Sequence, residues 1–478
     1  MITNRTLKFP ALAVFVGLLL VSLAVTYFIV QRGLAAGLMV VLLTVALMLV
    51  AVVLKNYRLG FYFVFLMGAF MFYFDRLLTI DFPTGTIYDA LIGLVFLSLF
   101  LGNRHNDWRS FRNPVTVAFC ILIGYQLLQL FNPSATSAIA WLISWRNNTS
   151  FLLYIIAFQM FSSFGEVKTF TATWLAVALL FALYGIYQHV FGLPAFETAW
   201  LNEQPGLLKL YINWGELRAF SFASDPSSYG LFTAMGTLAA MVFAFGPYRA
   251  VARVGFGILA LVLLIAMSYS GTRTAIAMVA VGVAFFIVIM LHNRKTLFAS
   301  GVLVFIALVL LFGPFYGGTM SRLRSTFRGS EDPSMAVRDY KRLKFQEYIQ
   351  THPIGGGLNS VGNIGARYSP GHELAGEWEP DSGYLLTALE SGWVGLLIFQ
   401  GMFFVVLLSG INHFFSMNDP VLKTYLLVYL VPFMALSVAH FTQDAMFTKP
   451  MNVIVYATYA LVYKIPALQK KLFSVELV

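Results

Sequence analysis

The sequence predicts an all-α, polytopic integral membrane protein: a helical bundle of about 12–14 transmembrane helices with one long external loop. Three observations carry that expectation. Of 478 residues, 59% are hydrophobic and 11% charged, against about 25% charged in soluble domains. Mean hydropathy is +0.78. Apolar windows of spanning length recur along the whole chain. In a soluble protein the net charge of +10 would suggest nucleic acid. Here, retention of Lys and Arg on one side of a membrane accounts for much of it, and no nucleic-acid partner is expected. The single cysteine, Cys120, cannot form an internal disulfide.

The windows fall at 10–31, 33–54, 59–74, 86–102, 114–131, 149–164, 171–192, 226–246, 253–270, 273–291, 296–313, 384–409, 421–440 and 449–465. The windows at 59–74 and 149–164 are short for a hydrocarbon core of about 30 Å, so a smaller count than fourteen remains open. The first window reads as a retained helix rather than a cleaved leader. No repeat relates the two halves, which disfavours an inverted-repeat transporter. The chain thus divides into membrane helices over 1–313, an external loop over 314–383 and C-terminal membrane helices over 384–478.

Lys and Arg set the orientation. A cytoplasmic N-terminus puts Lys55, Arg58, Arg104, Arg109, Arg249, Arg253 and the Lys470/Lys471 tail inside. The short outer loops then hold only Arg32, Arg76, Arg146 and Lys449, a positive-inside bias. The long outer loop breaks the rule with Arg322, Arg324, Arg328, Arg338, Lys341, Arg342, Lys344 and Arg367. Long translocated loops tolerate such charge; an anionic partner would explain it further.

Within that loop, "DPSMAVRDYKRLKFQEYIQTHPIGGG" carries helix punctuation. Val337, Tyr340, Lys344 and Tyr348 share a face, and the pattern stops at His352-Pro353 and Gly355–Gly357. An amphipathic helix on the outer surface is expected, with a solvated cationic face as the plain alternative. Glu373, Glu377, Glu379 and Asp381 follow, and Asp381-Ser382 stand where the next span needs an N-cap. Glu390 falls inside that span, where a carboxylate is costly and faces a cavity or partner unless it snorkels or takes a proton. Arg218 precedes the 226–246 span, and Arg273 sits at a tight outer hairpin with apolar helix on both sides. Arg recognises phosphate bidentately. Two such arginines on one face favour a phosphate-bearing ligand over a purely structural role.

"RAFSFASDPSSYG", "SGTRTA" at the head of a span, "RDYKRLKFQEYIQTHPIGGGLNS" in a long outer loop and "DSGYLLTALESGWVGLLIF" at its exit occur in that order. Together they resemble the bacterial O-antigen ligase and O-antigen polymerase family of polyprenyl-dependent glycosyltransferases. The motif likeness covers about 210–230 and 268–400. It departs at Asp381-Ser382, where family members often carry a His-Asn pair, and this moves the reading towards a polymerase of polysaccharide repeat units.

The resemblance implies a GT-C-like fold in a bacterial inner membrane with an outward-facing site. The implied donor is an undecaprenyl-pyrophosphate-linked oligosaccharide and the acceptor a glycan or glycolipid. Membrane lipids and a chain-length regulator are the further implied partners. Arg218 and Arg273, with Arg338 as a third, would hold the leaving pyrophosphate. Asp381 is the first choice of base, with His352, His372 and Glu390 behind it. No Asp-x-Asp pair or clustered His/Cys site occurs, so no metal or other cofactor is expected. The alternatives are a ligase that moves the glycan to lipid A-core or another acceptor, and a lipid-linked glycan flippase.

Overall fold

A computed structural model describes residues 34–78, 84–101, 108–203, 206, 208–213, 215–291, 343, 345–376 and 379–475, with isolated positions before residue 34. The windows predicted at 10–31 and 296–313 lie outside the described residues, apart from single positions in the first. So do Arg338, Lys344 and most of the predicted amphipathic helix.

The chain is an all-α membrane bundle. Helices α1 (Leu34–Lys55), α2 (Tyr57–Leu78), α3 (Thr84–Ser98) and α4 (Pro114–Leu128) come first. They are followed by α5 (Ala138–Asn147), α6 (Leu152–Met160) and α7 (Phe164–Phe191). Short helices α8 (Ala195–Asn202) and α9 (Leu208–Tyr211) lead into a minimal antiparallel hairpin of β1 (Ile212–Asn213) and β2 (Glu216–Leu217). Then come α10 (Pro226–Ala244), α11 (Ala250–Ser268), α12 (Arg273–Ile289), the short α13 (Gly362–Tyr368), α14 (Gly383–Ser416), α15 (Pro420–Ala439) and α16 (Met451–Val475). Among the described residues, 8 helices are long and apolar enough to cross a membrane, and four shorter apolar ones accompany them.

Local signals set the boundaries. Three spans open on Asn-Pro or Asp-Pro, where proline's fixed φ suits the first helical turn and the preceding side chain caps it. Asn113 accepts from the Thr116 N–H at 2.9 Å. Asp225 accepts from Ser227 and Ser228, and Asp419 accepts from Val421 and Leu422. Helix α7 starts ahead of its apolar window because Ser163 and Glu166 form a capping box. Helix α2 outruns its window of 59–74 because Asp75 and Arg76, polar but still helical, end the apolar run. Helix α5, ten residues long, was not expected from the sequence. It is too short to register as a span.

Burial separates the centre from the lipid side. Helix α10 is 83% buried over its apolar window and packs on α7, α11, α12 and α15, whereas α11 is 17% buried. A helix that is apolar all round and buried belongs to the core of the bundle. The outer loop has a small core of its own: Phe345, Val361 and Leu374 pack on Leu389 of α14. Residues 345–351 are helical and stop at His352-Pro353, where the sequence pattern stops.

The Lys/Arg pattern gives the expectation that residues 314–383 lie outside. Ser369 is buried and Glu373 exposed, so Glu373 is the position to probe. With Cys120 replaced by Ser, a Glu373→Cys variant should react in intact cells with a thiol reagent that does not cross the membrane. Reaction only after the membrane is opened would reverse the orientation.

Candidate functional site

Helix α14 is interrupted at Gly392, which takes φ 70° and ψ 178°. Such a break frees backbone groups that must find partners. The Gly-rich turn of the loop supplies them. The Gly356 N–H donates to the Leu389 carbonyl and the Gly357 N–H to the Glu390 carbonyl, each at 2.9 Å, while the Val394 N–H donates to the Pro353 carbonyl at 3.2 Å. The Tyr125 hydroxyl donates to the Ser391 carbonyl at 2.6 Å. A side chain on Gly392 would fall on the Pro353 carbonyl, and one on Gly355, itself at φ 74°, would fall on Glu390 and Gly392 backbone. From the other side, the Asn132 amide donates to the Ile354 and Gly355 carbonyls. The turn is thus locked between the end of α4 and the break in α14.

That lock positions a carboxylate. Just past the turn, Asn359 sits at φ 57°, and its N–H donates to Glu390 Oε1 at 2.9 Å. Asn359 is itself pinned by its side-chain amide to the Ala140 carbonyl of α5. Glu390 lines a cavity of about 510 Å³ at the end of the bundle where α3, α14 and α16 begin and α4 and α15 end. Asp444 and His440 line the same cavity.

His440 is fully buried, and its Nδ1 accepts from the Ala445 N–H at 3.2 Å. Burial pushes its pKa down to about 3. The ring is therefore neutral with its proton on Nε2, an atom without a hydrogen-bond partner among the described residues. The 3.6 Å approach of Nδ1 to Asp444 Oδ1 is accordingly not an ion pair. Asp444 is about half exposed, at 49%, and desolvation raises its pKa to about 6.

Arg218 and Arg273 are brought together, through Thr272. The Arg218 guanidinium donates to the Ser270 carbonyl at 2.9 Å, the Leu210 carbonyl at 3.0 Å and Thr272 Oγ1 at 3.1 Å. Arg218 therefore staples the 208–217 hairpin to the turn that carries Arg273. The turn between Phe220 and Ala223 is held in place by buried Arg76, which donates to the Ser221 and Ala223 carbonyls and lies 3.4 Å from Glu197. Arg273 is the first residue of α12. A cation there opposes the helix dipole, whose positive N-terminal end itself attracts an anion. One residue on, Thr274 Oγ1 is 2.9 Å from Thr442 Oγ1, which ties the arginine turn to the loop bearing Asp444.

The other predicted residues lie elsewhere. Asp381 is exposed and is not the N-cap: Ser382 accepts from the Leu385 N–H at 3.3 Å. His352 stacks on Tyr348 with ring centroids 4.0 Å apart and contacts the Tyr348 carbonyl through Nδ1. His372 accepts from the Leu374 N–H and lies 3.4 Å from the Tyr348 hydroxyl; burial lowers its pKa. None of these three lines the cavity, and neither do Arg218 and Arg273. Sequence reading passed over Asp444, His440 and Asn359. The available signal was "HFTQDAMFTKP", a short outer loop with three ionisable side chains between two apolar spans.

A family model described as O-antigen ligase matches residues 257–400. The match takes in Arg273, the Gly-rich turn and Glu390, and ends before Asp444. A search of curated proteins finds no match. Over those residues the chain is O-antigen-ligase-like, within a polytopic helical membrane protein.

Gly392→Ala should lower stability by about 1–3 kcal/mol, since alanine pays the left-handed strain and also meets the Pro353 carbonyl. Thermal unfolding of the detergent-solubilised protein checks it, and an unchanged midpoint would remove the lock.

Proposed function

We propose that the protein is a glycosyltransferase of the outer leaflet that polymerises polysaccharide repeat units. It transfers glycan from a polyprenyl pyrophosphate carrier to the hydroxyl of an acceptor glycan. One observation supports this most: the Thr274–Thr442 contact ties the Arg273 turn to the loop that carries Asp444, which with Glu390 lines the cavity. A site for a departing pyrophosphate thus adjoins a site for a proton acceptor.

In the proposed reaction the acceptor oxygen attacks the anomeric carbon. The bond from that carbon to the pyrophosphate oxygen breaks, its electron pair stays with the carrier pyrophosphate, and the configuration inverts. Arg273 and the first N–H groups of α12 stabilise the departing charge. Arg218 holds the turn and, in this reading, adds its own charge, with Arg338 as a further cation. Asp444 takes the hydroxyl proton. It is the more exposed of the two carboxylates. Glu390 then orients the acceptor as a hydrogen-bond acceptor. The description of the matching family model favours a second reading, a ligase. The chemistry would be the same, with a different acceptor.

A deletion strain separates the readings. Single repeats without long polymer indicate a polymerase, and polymer left on its lipid carrier indicates a ligase. Loss of outer-leaflet lipid-linked substrate would indicate transport and overturn both.

Arg273→Ala should abolish transfer with normal protein levels, and Arg273→Lys should rescue poorly because lysine lacks the planar fork. Full complementation by the Ala variant would remove the pyrophosphate role.

The base assignment carries a pH signature. Asp444 acts deprotonated, so kcat/KM should rise as pH passes about 6 and level above it. Asp444→Asn should remove that limb and lower turnover about 10²–10⁴-fold. Asp381→Asn should change turnover little. Wild-type turnover in Asp444→Asn, with a large loss in Asp381→Asn, would return the base to Asp381.

A further inference from the structure

The cavity has a second charged wall that the proposed reaction does not use. Asp89, at the start of α3, lies 3.7 Å from Arg146 Nε, which is long for a charge-assisted hydrogen bond. Arg146 is half exposed, at 50%. Lys449 joins them on the cavity lining. Its ammonium rests 4.6 Å from the centroid of the Tyr88 ring, and among the described residues no carboxylate lies within 4.0 Å of it. Burial lowers its pKa, with Asp89 opposing that shift and Arg146 adding to it.

On this wall, two cations share one carboxylate and leave about one net positive charge, while Glu379, Glu390 and Asp444 line the rest of the cavity. A partly desolvated ammonium is costly without an anion, and a single aromatic face replaces one incompletely. The same cavity is also lined by Tyr125, Phe151 and Tyr456, the aromatic lining usual in small-molecule sites.

We infer that the Arg146–Lys449 wall is a subsite for a carboxylate-bearing sugar, so that the glycan handled by this protein is acidic. The inference rests on the proposed glycan transfer. One net positive charge suits a singly charged uronate-type sugar better than a pyrophosphate, and Glu390 and Asp444 in the same cavity further disfavour a multiply charged anion. Arginine can take the carboxylate through its fork and lysine as a point charge.

The test starts from the polymer lost on deletion of the gene. Its repeat should contain a carboxylated sugar. In a transfer assay with purified full-length protein in nanodiscs, reducing that carboxylate to an alcohol on the lipid-linked repeat should raise KM at least about tenfold while kcat changes less. Arg146→Gln and Lys449→Gln should each erase most of the preference, bringing the KM values for the acidic and carboxyl-reduced substrates together. A neutral repeat, or equal KM for the acidic and reduced substrates with the wild-type protein, would overturn the subsite and leave the transfer reaction standing. Deletion that alters no polymer would overturn the transfer reaction and this inference with it.

Discussion

The docking of the Gly-rich turn into the break of α14 is the constraint on which the rest of the site depends. A helix inside a membrane cannot leave backbone groups unpaired, because neither lipid nor packed protein offers water to replace the lost bonds. Helix α14 breaks at Gly392, and the Pro353–Gly357 backbone satisfies the freed groups of Leu389, Glu390 and Val394. The exchange needs close backbone approach on both sides, hence glycine at 355 and 392. It fixes the returning loop against the membrane domain and delivers the Asn359 N–H to the Glu390 carboxylate. A polar loop and a polar intramembrane residue thus account for each other.

The bundle gathers charge at one end. Glu379, Glu390, Asp444, Asp89, Arg146 and Lys449 all line one cavity, and the Thr274–Thr442 contact ties the Arg273 turn to the loop that carries Asp444. Neutral His440 fastens the loop after α15 on both sides. Its carbonyl accepts the Gly383 N–H, and its ring stands edge-on to Tyr384 at 4.7 Å. The segments that carry the two carboxylates and the Arg273 turn are therefore cross-braced by backbone and hydroxyl contacts. This is the rigidity that preorganised electrostatic stabilisation requires.

Much of this was legible in the sequence. Apolar windows located most of the described spans, because long apolar runs leave few alternatives. The Asn-Pro and Asp-Pro starts of α4, α10 and α15 carried their own punctuation. The end of the loop helix at His352-Pro353 was readable too, and Glu390 stood out because a carboxylate inside a span is costly. What was not legible depends on tertiary proximity. Asp381 fits an N-cap position as well as Ser382 does, and only the side-chain geometry separates them. Asp444 looked like an ordinary loop residue until the start of α14 packed beside it. Arg146 and Lys449 entered the reading as orientation markers, and nothing local tells a topogenic cation from one facing a cavity. Helix α5 was missed because ten residues flanked by polar chain resemble a loop.

The central claim is that the Arg273 turn and the cavity carboxylates act on one substrate at its pyrophosphate–sugar junction. Photo-crosslinking tests this most directly, using a lipid-linked repeat unit with a diazirine on the sugar next to the pyrophosphate and the purified protein in nanodiscs. Mass spectrometry should find adducts within residues 270–274, 383–392 and 440–449. Adducts confined to other parts of the outer face, with none in these three segments, would contradict the account.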